Sequence, residues 1–305
     1  MPIYDQTFRH YEGPRSFAAL WWPVARNTMQ PIYKSKLARF LIGGILLPVL
    51  AVSVMFFVTA KIKDVAPDRI EQAQEIAQAS QVPLFGKKYN INTLLFDFLR
   101  GESAVIWLLI MAGSACIASD RRNTALPLYF SRPLTMKDYI IGKVLGLAIV
   151  PVAGLSLAVI IIYVQFTAYF CTLQEGLTQL PLVFIALFVI LLVCLLSALS
   201  MAAFSSMTNN PRVASIIYIA FWLLSTMLGP MLAGAFRKPN WAALSPAASM
   251  TEVMITLMHP NRLSSRYARE ILSVPWQLAA PALAGWLLVF LWIIRRNLRV
   301  VEVVK

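Results

Sequence analysis

Charge is what this 305-residue chain lacks. Asp, Glu, Lys and Arg make up 13% of it, about half the usual fraction. A soluble domain must turn much of its surface to water. With 59% hydrophobic residues and a mean hydropathy of +0.68, there is too little polar surface for that. The chain reads as an integral membrane protein. Carboxylates are scarcer than cations, so the net charge is +13. Nucleic acid is one partner for such an excess, but Lys and Arg cluster beside apolar runs, which is the pattern of membrane topology. The three cysteines (Cys116, Cys171 and Cys194) lie in or beside apolar runs, and their spacing fits neither a disulfide framework nor a metal site. The two histidines, His10 and His259, are too far apart to suggest a metal site.

Catalytic and energy-transducing motifs are missing too. Gly86-Lys87 and Gly142-Lys143 are the only Gly-Lys pairs, and neither has the upstream Gly and following Ser/Thr of a phosphate-binding loop. Ser, His and carboxylates do not cluster as an intramembrane hydrolase would require. No ionisable residue sits inside an apolar run. A charge at mid-bilayer costs about 3 kcal/mol or more, so proton relays and ion sites are where such residues persist. The first 36 residues carry Arg9, Arg15, Arg26, Lys34 and Lys36 without a clean apolar signal segment, so the first span is expected to direct its own insertion.

What the chain does have is long runs free of ionisable residues: 40–60, 103–119, 144–174, 176–211, 213–236 and 271–294. Each can hold the roughly 20 residues a helix needs to cross ~30 Å of hydrocarbon. The runs are continuous rather than alternating, so helices are expected. The expected fold is an all-α integral membrane protein with six transmembrane helices, at about 40–60, 100–119, 140–168, 180–206, 211–236 and 274–294. Six Lys/Arg up to Arg39, five in 120–143 and four after Ile294 place both termini and the 120–139 loop on the cytoplasmic side. Segments 61–99 and 237–273 are then extracytoplasmic. They hold many cations as well, but long translocated loops orient weakly.

Local signals mark the boundaries. Asn210-Pro211 reads as an N-cap with Pro in the first turn. Thr135-Met-Lys-Asp138 resembles a capping box opening the third span. Pro67, Asp68 and Glu71 open either a solvated helix over 67–80 or a plain connecting loop. In the 1–39 segment, Phe17, Leu20, Trp21, Trp22 and Val24 mix with cations over 16–39, which suits a helix lying in the membrane interface. Pro23 and Pro31 argue against one long straight helix there. Gly142-x-x-x-Gly146 at the start of the third span is a candidate for close helix packing. Pro48, Pro151, Pro181 and Gly43-Gly44 are candidate bends.

The segment 120–143 is the most informative. Five cations surround Leu126, Leu128, Tyr129 and Phe130, side chains costly to leave in water. Aromatic anchors ringed by Arg are the usual composition of an interface centre, and the other reading is that they dip into the bilayer. Ile117-Ala118-Ser119-Asp120, Leu128-Tyr129-Phe130-Ser131-Arg132-Pro133-Leu134 and Asp138-Tyr139-Ile140-Ile141-Gly142-Lys143 resemble the membrane subunit of an ABC transporter of the type-2, export-associated permease family. Val24-Ala25-Arg26-Asn27-Thr28 and Leu244-Ser245-Pro246 are weaker echoes. Where many members have a Glu and a Gly-Thr-Leu run, this chain has Asp120 and Asn123-Thr124-Ala125-Leu126.

The resemblance implies that the loop after the second span holds a coupling helix, near Thr124–Phe130, inserted into a separate ATPase subunit. Asp120, Arg121, Arg122, Asn123, Thr124, Leu126, Leu128, Tyr129, Phe130, Ser131, Arg132 and Pro133 are the expected contacts. The N-terminal interfacial helix becomes the family's connecting helix. The chain itself would carry no catalytic site, cofactor or metal, with ATP and Mg bound by the partner. A second permease subunit (homo- or heterodimer), membrane lipid and a bacterial inner-membrane location follow. Uncharged spans suit export of a lipid-like, amphipathic or glycan-linked substrate. The alternatives are an ion-coupled carrier or channel, or a non-transporting assembly or scaffold protein.

Overall fold

A computed structural model describes residues 20–34, 36–65, 91–111, 113–126, 129, 134–258 and 274–302. Among these residues the regular structure is entirely helical. In chain order the helices are α1 (Trp21–Lys34), α2 (Lys36–Val65), α3 (Ile91–Met111), α4 (Ala115–Arg122), α5 (Met136–Phe170), α6 (Leu173–Met207), α7 (Pro211–Phe236), α8 (Pro246–Met258) and α9 (Trp276–Glu302). A short 3₁₀ stretch, Pro239–Leu244, precedes α8. The possible helix over 67–80 and both histidines lie outside the described residues.

Four helices are long and apolar enough to cross a membrane: α5, α6, α7 and Trp276–Leu298 of α9. A shorter apolar stretch, Leu46–Lys61, lies within α2. α5 and α6 are the inner pair. Half of the most apolar window of α5 and 56% of that of α6 are buried, against 28% for α7 and 22% for α9. The reason is visible in α6, where Ser197, Ala198, Ser200, Ala202, Ala203, Ser205 and Ser206 are buried. Small side chains let neighbouring backbones approach where lipid supplies no hydrophobic drive for helix association. Phe204 of α6 meets Phe221 of α7 at 5.2 Å and Phe290 of α9 at 5.9 Å, closing the other side of the bundle.

The helix starts follow the local chemistry. Thr135 and Asp138 form a reciprocal capping box at α5, and Thr172 and Glu175 form a second at α6. Asn210 Oδ1 accepts from Arg212 N–H at 3.1 Å, with Pro211 in the first turn of α7. α5 and α6 are thus joined by only Cys171 and Thr172 as a tight hairpin.

Two segments differ from the sequence expectation. The run expected as a single span at 100–119 is two helices, broken by a turn at Gly113–Ser114. Its first half begins at Ile91 and takes in Asp97, Arg100 and Glu102, so this helix does carry ionisable residues. Within 237–273, α8 is not a peripheral loop. Met250, Met254 and Met258 are buried, and the helix packs on α3, α6, α7 and α9. Ser225 of α7 fixes its start: the Ser225 hydroxyl accepts from Ala247 N–H at 3.0 Å, and Ser245 donates to the Ser225 carbonyl.

α1 lies against α5 at backbone contact. A Cβ at Gly142 would sit 2.6 Å from Trp21 O, and one at Gly146 would sit 2.7 Å from Ala25 O. Val24, Ala25, Thr28 and Met29 are buried there, while Trp22 and Arg26 face outward. Pro23 falls in the first turn of α1, where a missing N–H costs no helix hydrogen bond, and Pro31 falls in its last turn. Gly146→Leu should therefore lift α1 off α5, destabilising the protein by at least the ~1–3 kcal/mol of an overpacked core. A cysteine placed at Met29 in a cysteine-free background, shielded in the parent, should become reactive to a maleimide.

Candidate functional site

The candidate site is built where α4 ends and α5 begins. α4 closes with a Schellman arrangement: Ala125 N–H bonds Asp120 O at 2.8 Å and Thr124 N–H bonds Arg121 O at 3.2 Å. The turn requires a left-handed residue, and Thr124 adopts φ 49°. A β-branched residue is uncommon in that conformation, which is a place where glycine is usual. The chain then turns inward. Leu126 is 1% exposed, and Tyr129 N–H bonds Ala125 O at 3.2 Å in a further helical turn.

At the centre lies a buried ion pair. Lys143 Nζ is 2.7 Å from Asp120 Oδ2, with the two side chains only 3% and 12% exposed. Tyr139 donates its hydroxyl to the same carboxylate oxygen at 2.7 Å. The ammonium lies 5.5 Å from the Tyr139 ring centroid and 5.8 Å from that of Tyr129, and the two rings are 5.4 Å apart. Asn27 of α1 donates to the Tyr129 hydroxyl at 3.3 Å. One carboxylate and one ammonium thus gather α1, α4, the following loop and α5.

The last turn of α6 closes the other side. Arg121 donates to the Ser206 carbonyl, and Asn297 of α9 donates to Ser206 Oγ at 3.1 Å. Around this packed centre, Arg122, Asn123 and Thr124 are exposed, with Lys137 exposed at the start of α5.

The expected contact residues therefore divide. Asp120, Leu126 and Tyr129 are engaged inside the chain, Arg121 is half-buried on α6, and Arg122, Asn123 and Thr124 project. Leu128, Phe130, Ser131, Arg132 and Pro133 lie outside the described residues. Sequence reasoning missed Lys143, Tyr139, Asn27, Ser205, Ser206 and Asn297 as members. A lysine one residue after a glycine at the head of a long apolar run was the signal for Lys143. Its partner Asp120, 23 residues earlier, was expected as a contact with another subunit rather than as a counter-ion within the chain. Among the described residues no three His, Cys, Asp or Glu side chains gather as a metal site.

A helical membrane bundle with a basic, internally latched loop after its second apolar run is the setting in which the family comparison applies. The family described as "ABC-2 family transporter protein" matches residues 22–294. The chain belongs to that family. It is a multi-pass membrane permease of an ABC transporter, and membership implies an ABC ATPase subunit as partner. No curated protein matches the chain.

Within this permease the ion pair should matter most for stability. Removing one member of a buried pair leaves the other charge uncompensated at about 3–5 kcal/mol, whereas removing both together costs far less. Lys143→Met and Asp120→Asn should each lower the unfolding midpoint in detergent sharply. The double variant should recover a large part of the loss, and midpoints that simply added would show that the two groups do not interact.

Proposed function

We propose that the chain is the membrane-spanning subunit of an ATP-driven exporter, coupled to a separate nucleotide-binding subunit through residues 120–139. The observation that carries this reading is the way the loop is held. Its carboxylate and aromatic ring are locked to α1 and α5, while Arg122, Asn123 and Thr124 are presented outward on that rigid base. A rigid, basic protrusion is suited to entering a cleft on a soluble partner, because little ordering entropy is then lost on docking.

In this reading the chain crosses the inner membrane six times, with α2 and the broken α3–α4 pair completing the four long apolar helices. Both termini and the 120–139 loop are cytoplasmic, in keeping with the cation distribution. Two copies, or one copy and a related subunit, form the membrane unit, and ATP with Mg is bound by the partner. Binding of ATP draws the two coupling loops together and hydrolysis releases them. Apart from Lys143 at the head of α5, the described residues of the long apolar helices carry serine hydroxyls rather than charges in their buried faces, which suits a lipid-like, amphipathic or glycan-linked substrate.

The test is purification of the tagged chain from its own membrane. A stoichiometric P-loop ATPase should accompany it. Replacing Arg122 and Asn123 with Glu should release that subunit while leaving the permease folded, since neither side chain is buried. Tyr129→Ala is the poorer probe, because it also removes a ring packed on Lys143 and Tyr139. A folded parent permease that comes out alone, or a variant that keeps the ATPase in full, would refute the coupling reading.

A further inference from the structure

Close contacts fix how α1 and α2 stand against α5. Gly142 meets Trp21 and Val24, and Gly146, one turn on, meets Ala25 and Thr28. α1 therefore rises along α5 in the same sense rather than crossing its beginning. α2 does likewise: Ser53 donates to Gln165 Oε1 at 2.8 Å, and the Phe56 ring lies against those of Phe166 and Phe170. Counting forward from Gly146, the end of α1 at Lys34 reaches no higher than Leu155. Counting back from Gln165, the start of α2 at Lys36 is about level with Ala148.

That height is unusual for cations. α9 exposes Leu288, Leu291 and Trp292, and its exposed Arg295 and Arg296 follow one turn beyond Trp292. Asn297 bonds Ser206. α5 and α6 are equal in length and joined by two residues, so Ser206 is level with Lys137 at the beginning of α5. Lys34 and Lys36 thus stand about 15 Å further along the bundle than the cations of α9, at 1.5 Å per helical residue. A bundle tilt of about 20° levels only part of that step. The two lysines lie at a depth where α9 exposes leucine to lipid.

A cation at mid-bilayer costs about 3 kcal/mol or more, and one part-way in needs a counter-charge or a route back to water. The chain supplies no counter-charge. α1 has no acidic residue, the only one in α2 is Asp64 at its other end, and among the described residues no carboxylate pairs with Arg26, Lys34 or Lys36. It does supply a polar track. Trp22, Arg26, Gln30 and Lys34, four residues apart, are all exposed on the side of α1 turned away from α5. Beyond Lys36 the track gives onto Phe40, Leu47 and Leu50 of α2, which are 79%, 70% and 65% exposed. A charged head fits the lysines and acyl chains fit the apolar face above them. We propose that the α1–α2 junction binds an anionic phospholipid of the surrounding bilayer, its phosphate drawn in to Lys34 and Lys36 and its chains lying on α2. The proposal rests on the chain crossing the membrane, and on neither the ATPase nor the cargo.

The test equilibrates the full chain, with whatever subunits accompany it, in detergent holding equal amounts of phosphatidylglycerol and phosphatidylcholine. Native mass spectrometry then counts the lipids it keeps. The parent should favour phosphatidylglycerol about tenfold, because each cation near an anionic surface contributes about fivefold. Arg26→Gln, Lys34→Gln and Lys36→Gln together should bring the two lipids to within about twofold of each other. Arg212→Gln, Arg295→Gln and Arg296→Gln together remove as much charge from α7 and α9 and should leave the preference intact. All six side chains are exposed, so both triple variants should keep the parent's unfolding midpoint in neutral detergent. If the first does not, Lys34→Gln alone is read in its place. Lys34→Arg with Lys36→Arg should retain the lipid. Equal loss in the two triple variants would show only a general attraction between a basic protein and anionic lipid, and would overturn the site. So would no preference in the parent, an unchanged preference in the first variant, or loss from that variant of a protein subunit in place of lipid.

Discussion

The ion pair between Asp120 and Lys143 is the constraint on which this end of the bundle depends. A lysine 3% exposed at the head of a long apolar helix is tolerable only with a carboxylate beside it. That carboxylate is on the last turn of α4, so pairing dictates where α4 ends relative to α5. Tyr139 shares the same oxygen, and its ring and that of Tyr129 shield the ammonium. Tyr129 in turn receives Asn27 from α1. Once the charges meet, the end of α4 and the Tyr129 ring are held in place, and the exposed Arg122 stands on that base.

A second constraint comes from small residues. Gly142 and Gly146 bring α1 to backbone contact with α5, and the Ser/Ala-rich end of α6 admits α4, α7 and α9 around it. Large side chains at these positions would push the helices apart and remove the hydrogen bonds from Ser205 and Ser206, which act only at short range. Packing and polar fastening are therefore one arrangement. The hydroxyls can serve neighbouring backbones because nothing bulky stands between them.

For a permease of the ABC-2 family these features bear on how a soluble motor acts on a membrane bundle. A loop that merely hung between two helices would absorb a push by bending. Here α4 and Tyr129 are joined to α1, α5 and α6 by a buried ion pair and hydrogen bonds.

The sequence by itself determined the membrane class, the long apolar helices, the capping box at Thr135 and the position of the basic loop. Each of these rests on residues near one another in the chain: hydropathy over a run, Thr135 with Asp138, cations beside apolar residues. The tertiary structure alone decided the rest. The apolar appearance of Leu126 and Tyr129 suggested a surface awaiting a partner, but Leu126 is buried in the chain's own core and Tyr129 is half-buried against Tyr139. The break at Gly113–Ser114 could not be read from a charge-free run, because the hydroxyl that makes it tolerable belongs to Ser205, 91 residues away from Ser114. Lys143 looked like a topology marker until Asp120 was placed beside it. Local pattern fixes which segments are helices; which buried polar groups find partners depends on contacts between distant segments, and those are what build this site.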